Sequence, residues 1–348
     1  MVVTSSKIDI RSLSLEQLIA QLTAVGEKAF RAKQVYEWLW KKSAHSFEEM
    51  SNISKELRNL LEEKYEIHAV TIATQQVSRD RTIKFGFRLY DGHMVEGVLI
   101  PSRDRMTACV SSQVGCSLSC KFCATGYMER KRNLTGDEIY DQVVLINRAA
   151  IEHYQIPLSN IVYMGMGEPL LNYSGMMYSV DRITSPDGLG MSPQRITVST
   201  AGVAKMIKKL GDDGVRFNLA LSLHAANDAK RNEMMPINET NSLDVLAEAL
   251  QYFYEKTGTR VTFEYIVFNN VNDSIDDAAE LYRFWKKVPS KINIIEYNPI
   301  EFADFVNTTD AKLDAFIGYL EKKKVIVNVR RSRGKDIDAA CGQLAIKG

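Results

Sequence analysis

The stretch Gly115-Cys116-Ser117-Leu118-Ser119-Cys120-Lys121-Phe122-Cys123 sets three cysteines on one short run, spaced C-x₃-C-x₂-C. Thiolates are the usual protein ligands of iron–sulfur clusters, and a cubane normally takes four. This run supplies three, which leaves one iron open to an external chelate. A zinc site is the alternative, with Cys109, Cys341 or His224 as fourth ligand. Structural zinc sites usually pair their ligands in C-x₂-C knuckles. Only Cys120 and Cys123 have that spacing, and the chain holds no second knuckle.

Working outward, the run follows a short apolar segment that reads as a strand, residues 107–111. From there the chain alternates. Further strand candidates are 161–164, 195–199, 217–223, 261–268, 292–297 and 325–329, with helical stretches between them. Thr135 and Glu138 form a capping-box pattern. Leu243, Leu246, Ala247, Leu250 and Tyr254 fall on one helical face, closed by Gly258. Strands alternating with helices mean right-handed βαβ units and a parallel sheet. About six such units predict an incomplete barrel rather than a closed eight-fold one. Polar and glycine residues sit at the ends of several strands: Gly165-Met166-Gly167-Glu168, Ser199-Thr200, Ser222 with His224, and Asn298-Pro299. In a parallel barrel the carboxyl ends of the strands form the active-site face, so these residues should meet in one pocket.

Before the barrel, residues 1 to about 70 read as helical. Ser14 and Gln17 make a second capping box, Gly26 suits a helix end, and Val35, Trp38, Leu39 and Leu57, Leu60, Leu61 follow helical spacing. Residues 71–77, 82–90 and 94–100 read as short strands, with Asp91-Gly92 as a hairpin turn. The 348 residues, 45% hydrophobic and 25% charged, suit one large domain with a small accessory one. No apolar stretch has signal-peptide or membrane-span length, so a cytosolic protein is expected. Five cysteines, an odd number, point to metal or redox chemistry rather than a disulfide framework. The net charge of +1 announces no nucleic-acid binder. Two local patches do better: Lys322, Lys323, Lys324, Arg330, Arg331, Arg333 and Lys335 with no acid among them, and Lys28, Arg31, Lys33, Lys41 and Lys42 against Glu37. Such patches either track a phosphate backbone or form solvated faces.

The cysteine spacing, with an aromatic residue before the last, resembles the radical S-adenosylmethionine (SAM) superfamily. Met164-Gly165-Met166-Gly167-Glu168-Pro169-Leu170 is similar to the superfamily segment that hydrogen-bonds the SAM amino group. Taken with Cys109, residues 110–126 and Asp336-Ile337-Asp338-Ala339-Ala340-Cys341-Gly342-Gln343-Leu344, these motifs resemble the RlmN family of dual-specificity RNA methyltransferases. The likeness runs from Phe30-Arg31-Ala32-Lys33-Gln34 to Cys341.

The resemblance implies an α/β fold: a partial (β/α)₆ barrel over 102–348, a helical RNA-binding domain over 1–70 and a β-rich extension or linker over 71–101. It implies one [4Fe–4S] cluster on Cys116, Cys120 and Cys123, and two SAM molecules per turnover. Gly167, Glu168, Ser199, Ser222, Leu223, His224 and Asn298 match the family's SAM-binding positions, and Glu96 its proposed proton acceptor. The implied product is adenine methylated at C2, in 23S ribosomal RNA and in tRNA. Adenine C2 carries a nonacidic C–H and is no nucleophile toward SAM, whereas a thiolate is. Cys341 is accordingly implied to accept a methyl group and, after hydrogen abstraction by a 5′-deoxyadenosyl radical, to add it to C2. Cys109 would then release the base by forming a disulfide with Cys341. A flavodoxin or ferredoxin is the expected electron donor, no membrane is involved, and a monomer is expected. The nearest rival is the Cfr type, which methylates C8 of the same adenine. A rival of another class is a noncatalytic, zinc-stabilised RNA-binding module.

Overall fold

The computed structural model describes residues 7–103 and 105–346. The expected outer limits at residues 1 and 348 lie outside the described residues. One ten-stranded sheet organises the chain, its strands lying in sequence order. They are β1 (Thr71–Val77), β2 (Ile83–Arg88), β3 (Met94–Ser102), β4 (Arg105–Cys109), β5 (Asn160–Tyr163), β6 (Ile196–Thr200), β7 (Asn218–Ser222), β8 (Val261–Ile266), β9 (Ser290–Ile295) and β10 (Val327–Arg330). β1 to β4 form an antiparallel meander, and β4 to β10 are parallel. Among the described residues the two edges, β1 and β10, are not paired with each other, so the barrel is incomplete.

Ten α-helices among the described residues complete the architecture: α1 (Leu15–Ala24), α2 (Ala29–Trp40), α3 (Lys55–Lys64), α4 (Gly136–Tyr154), α5 (Tyr173–Thr184), α6 (Ala204–Asp212), α7 (Asp228–Met234), α8 (Leu243–Thr257), α9 (Ile275–Trp285) and α10 (Asp310–Lys322). Six strand–helix units lead to a seventh parallel strand, β10. Parallel sheets covered on both faces are apolar throughout. β8, Val-Thr-Phe-Glu-Tyr-Ile, is buried at every residue but departs from that rule at Thr262 and Glu264, the latter paired with Arg330. Both expected capping boxes are present, Ser14 with Gln17 and Thr135 with Glu138. Gly26 ends α1 as read: its N–H donates to the Thr23 carbonyl at 3.0 Å, and the Glu27 N–H to Leu22 at 3.0 Å.

Of the two readings of 71–101, extension or linker, the strand pairing fits the extension: β3 pairs with the first barrel strand, Val98 opposite Cys109. Two expectations are corrected. That first strand stops at Cys109 rather than Ser111. Beyond Cys109 the backbone bonds to side chains, the Ser111 N–H donating to Gln142 Oε1 at 2.9 Å. The basic segment 322–335 is not one face. Lys322, Lys323 and Lys324 precede β10, whereas Arg331 and Arg333 follow it. At about 3.3 Å per strand residue the two groups stand roughly 20 Å apart, at opposite ends of the barrel.

The helical domain docks on α4 through a buried cation. Arg11 Nη1 meets both Asp141 oxygens at 2.8 Å, and Nη2 lies 3.3 Å from Asp137. The Val70 N–H also donates to Asp141 at 3.0 Å. Breaking a buried ion pair by removing one partner typically costs about 3–5 kcal/mol, because the other charge stays buried. Arg11→Met should therefore destabilise the protein by about that amount. Denaturant unfolding followed by circular dichroism reads it, with the N-terminal domain becoming protease-sensitive first.

Candidate active site

The cysteine run lies in a loop closed by a short antiparallel ladder, Gln113–Val114 with Arg132–Asn133. Gly115 enters the loop at φ +75°, and a Cβ there would come 2.1 Å from the Glu129 carbonyl oxygen. Only glycine meets both demands. Within the loop the Cys123 N–H donates to the Cys120 carbonyl at 3.2 Å, and the Gly126 N–H to the Cys123 carbonyl at 2.9 Å. Phe122, the aromatic before the last cysteine, is the loop's anchor. Its ring meets His224 edge-on at 4.7 Å and Phe268 at 5.7 Å, within a small second core.

Cys116, Cys120 and Cys123 all line one cavity of about 240 Å³. Burial pushes the Cys116 thiol up to about 11 and also raises Cys120 and Cys123. Such thiols become thiolates when a metal centre supplies the compensating charge. The three thiols border one shared cavity. Soft thiolate donors suit iron–sulfur chemistry, so Cys116, Cys120 and Cys123 fit the ligand set that would hold a [4Fe–4S] cluster. Arg231, which the sequence did not flag, lies beneath. Fully buried, it donates to the Ala201, Ser222 and Leu223 carbonyls at 2.6, 3.1 and 3.0 Å. Its charge favours the Cys120 thiolate.

The strand-end residues meet here as the pattern predicts. Gly167, Glu168, Ser199, Ser222 and His224 line the cavity. A Cβ at Gly167, where φ is +92°, would stand 2.5 Å from Gln113 Cβ. The buried Glu168 carboxylate accepts from the Leu170 N–H at 3.0 Å and the Ala201 N–H at 2.7 Å, tying β5 to β6. The Ser199 and Ser222 hydroxyls lie 3.3 Å apart on adjoining strands. His224 Nδ1 accepts from the Ile266 N–H at 3.1 Å, which leaves its ring proton on Nε2. Burial, with Arg231 nearby, holds this imidazole down to about 3, so it is neutral at physiological pH.

Two SAM-binding expectations fall elsewhere. The Leu223 side chain does not line the cavity: it is wholly buried in the main core, just past the end of β7 where the backbone turns at His224 (φ +53°). Asn298 is buried outside the lining, its Nδ2 donating to the Cys341 carbonyl at 3.1 Å.

Cys109, at the end of β4, and Cys341 both line the same cavity as the cluster thiols. The C-terminal segment is bound to the cluster loop: the Ala124 N–H donates to the Gly342 carbonyl at 2.7 Å, and the Thr125 hydroxyl to the Leu344 carbonyl at 2.6 Å. Burial raises Cys109 to about 12, the Cys341 sulfur adding to the effect, whereas Cys341 is exposed on the cavity wall. All five cysteines are free thiols. Arg330, part of a basic patch that the sequence left as either a phosphate track or a solvated face, lines the cavity, pairs with Glu264 at 3.2 Å, and favours the thiolate at both Cys109 and Cys341. Glu96 lies outside the lining. Its Oε1 is 2.8 Å from Lys84 Nζ, and its Oε2 accepts from the Ala345 N–H at 2.9 Å.

The chain matches two family models: the ribosomal RNA large subunit methyltransferase N-terminal domain over residues 8–67, and the radical SAM superfamily over residues 110–282. It is 68% identical to a probable dual-specificity RNA methyltransferase RlmN of Cytophaga hutchinsonii, over 97% of this chain and 93% of the relative. A protein of the same description from Christiangramia forsetii is 55% identical over 99% and 98%. The chain belongs to the RlmN family. The crystal structure of a radical SAM methyltransferase from Sphaerobacter thermophilus superposes with a TM-score of 0.91 at 38% identity, covering 97% of this chain and 99% of that one. RlmN membership decides against the Cfr type, and the radical SAM match decides against a noncatalytic zinc module.

An RlmN-family chain with three cluster thiols should hold little iron once one is removed, since a cubane on two thiolates is poorly anchored. Cys120→Ala should lose the brown colour and most iron and sulfide on anaerobic purification, with no reductive SAM cleavage. Full iron content in that variant would contradict the cluster assignment.

Proposed function

We propose that this RlmN-family chain methylates C2 of adenine in 23S rRNA and in tRNA, with Cys341 as the methyl carrier. The observation that carries the reading is that Cys109 and Cys341, far apart in sequence, line the cavity bordered by Cys116, Cys120 and Cys123. Gly167, Glu168, Ser199, Ser222 and His224 would hold SAM, with the neutral His224 Nε2–H as a donor. When bound at the open iron, SAM is reductively cleaved and supplies the 5′-deoxyadenosyl radical.

The chain's own residues divide the remaining chemistry. Cys341 holds the methyl group as a thioether and, after losing one hydrogen from it, bonds that carbon to adenine C2. The adduct must then give up the C2 proton, and one electron that the oxidised cluster would take back. Cys109 next attacks the Cys341 sulfur: the S–S bond forms as the S–CH₂ bond breaks, and the departing carbon takes a proton, so the base leaves carrying a methyl group. The thiolate is the attacking form, and Arg330 is the cation that favours it at both sulfurs. Glu96 is the proton acceptor that the family likeness implies. Its two oxygens are engaged by Lys84 and Ala345, so the closed C-terminal segment keeps it from the cavity. The resulting disulfide is transient and is reopened by an external reductant. A flavodoxin or ferredoxin would deliver the electrons, in the cytosol.

RNA must present an adenine drawn out of its stack. Arg331 and Arg333 line the cavity mouth and are the cations placed to take adjoining phosphates, with the α2 patch as a second contact. Replacing Arg331 and Arg333 by Gln should weaken RNA affinity and reduce the salt dependence by about one power for each phosphate no longer neutralised. The same change at Lys322, Lys323 and Lys324 should alter neither, as salt-titrated filter binding would show.

The two lone cysteines act at different stages, which supplies the decisive experiment. Cys109→Ala keeps the carrier but removes the thiol that resolves it, so RNA should accumulate covalently on Cys341 in cells. Adding Cys341→Ala should abolish the adduct. Denaturing gels with and without ribonuclease read the mobility shift. Normal turnover of Cys109→Ala without an adduct would end the carrier-and-resolver reading while leaving the cluster standing.

A further inference from the structure

Lys84 lies on β2 between the buried Ile83 and Phe85 and is only 8% exposed. No step of the proposed chemistry uses it. An ammonium group taken from water is costly unless it is both paired and hydrogen-bonded. Lys84 Nζ stands 2.8 Å from Glu96 Oε1 and donates to the Asp338 carbonyl at 3.2 Å. The antiparallel register sets Gly86 opposite Glu96 and Lys84 opposite Val98, so the two side chains are diagonal neighbours on one face of the β2–β3 hairpin.

The pair grips the chain on both sides of Cys341. Asp338, before it, is held by Lys84, while the Ala345 N–H, after it, donates to Glu96 Oε2. Asp338 has φ +51°, a left-handed conformation that a non-glycine residue keeps only when its surroundings impose it. The turn between β1 and β2 adds further support. Asp336 accepts from the Ser78 hydroxyl at 2.5 Å and the Arg79 N–H at 3.1 Å, and Asp80 from the Gly334 N–H at 2.8 Å. These bonds all stop short of Cys341. Lys84 and Glu96 form the ion pair that spans it.

We propose that Lys84 is a positioning residue for methyl transfer: with Glu96 it fixes both ends of the Cys341 loop so that the sulfur stays in the cavity. The inference rests on Cys341 being the methyl carrier. It also gives the β extension a catalytic purpose, as the frame against which the carrier loop is registered. Lys84→Met keeps the apolar stem and removes the ammonium. Glu96 is then buried without its counter-charge, and its hold on Ala345 goes with the loop's register.

Hydrogen–deuterium exchange on the purified holoenzyme, read by mass spectrometry, tests this together with methylation kinetics. In Lys84→Met, amides of residues 338–346 should exchange at least about tenfold faster, while β5 to β8 keep their protection. The kcat for RNA methylation should fall by about tenfold with KM for RNA little changed, the pattern of a weakened transition-state alignment. Lys84→Arg should restore both. Because the pair acts as one unit, Lys84→Met with Glu96→Gln should exchange no faster than Glu96→Gln alone. Unchanged exchange in Lys84→Met, or faster exchange throughout the barrel, would overturn the proposal. So would faster loop exchange with unaltered kcat. Methylation retained by Cys341→Ala would instead refute the carrier reading, whatever the exchange rates show.

Discussion

Two hydrogen bonds join the cluster loop directly to the carrier segment, those from the Ala124 N–H and the Thr125 hydroxyl to the carbonyls of Gly342 and Leu344. The segment carrying Cys341 has only short elements of its own, so contacts to other parts of the chain must place it. With them it faces a cavity whose other walls come mostly from strand ends and loops spread between Cys109 and Arg333. Buried backbone groups must find partners, and here each loop satisfies the other. The cluster loop also owes its shape to Phe122, so apolar packing against His224 and Phe268 is transmitted to the carrier cysteine.

The sheet explains why the cavity is where it is. Seven parallel strands bring their carboxyl ends to one rim, and the chain must leave each strand there in an irregular turn. Such turns carry unpaired backbone groups, and this protein satisfies them with buried polar side chains. Glu168 serves two N–H groups across β5 and β6, and Arg231 serves three carbonyls across β6 and β7. Both are charged groups removed from water, tolerable because each is held by several hydrogen bonds. The rim is therefore rigid before any cofactor arrives, which is the condition for holding reacting groups in register.

Much of this is legible in the sequence. The thiol spacing, the capping boxes and the polar residues after each strand are local signals, and local signals survive folding. Residues whose meaning comes from distant partners are not legible in that way. Arg231 sits in a short polar helix and looks like any surface cation until the strand ends close around it. Arg330 groups by sequence with its basic neighbours, although the end of β10 turns it to Glu264 inside the cavity while Lys322, Lys323 and Lys324 stay at the far end. Leu223 is not recoverable by alternation, because β7 ends at Ser222 and the chain turns through a left-handed His224. Glu96 is singled out by likeness, but its partners Lys84 and Ala345 come from a neighbouring strand and from the chain's end, which no spacing rule connects.

The cavity holds five sulfurs of one residue type and asks two kinds of chemistry of them. Loop geometry separates the first three, which lie close in sequence and bound one space from one side. The remaining two come from β4 and from the C-terminal segment, and no shared loop ties them to each other. That independence is needed by a carrier and a resolver: they must approach to form a disulfide, and must otherwise stay apart. The cations follow the same division. Arg231 lies under Cys120, fixed by four acceptors in the protein. Arg330 stands by Cys109 and Cys341 with its charge shared by Glu264. Its side chain remains partly exposed, so it can follow a sulfur that moves. A rigid cation suits ligands that stay in place, and an adaptable one suits thiols that change their bonds.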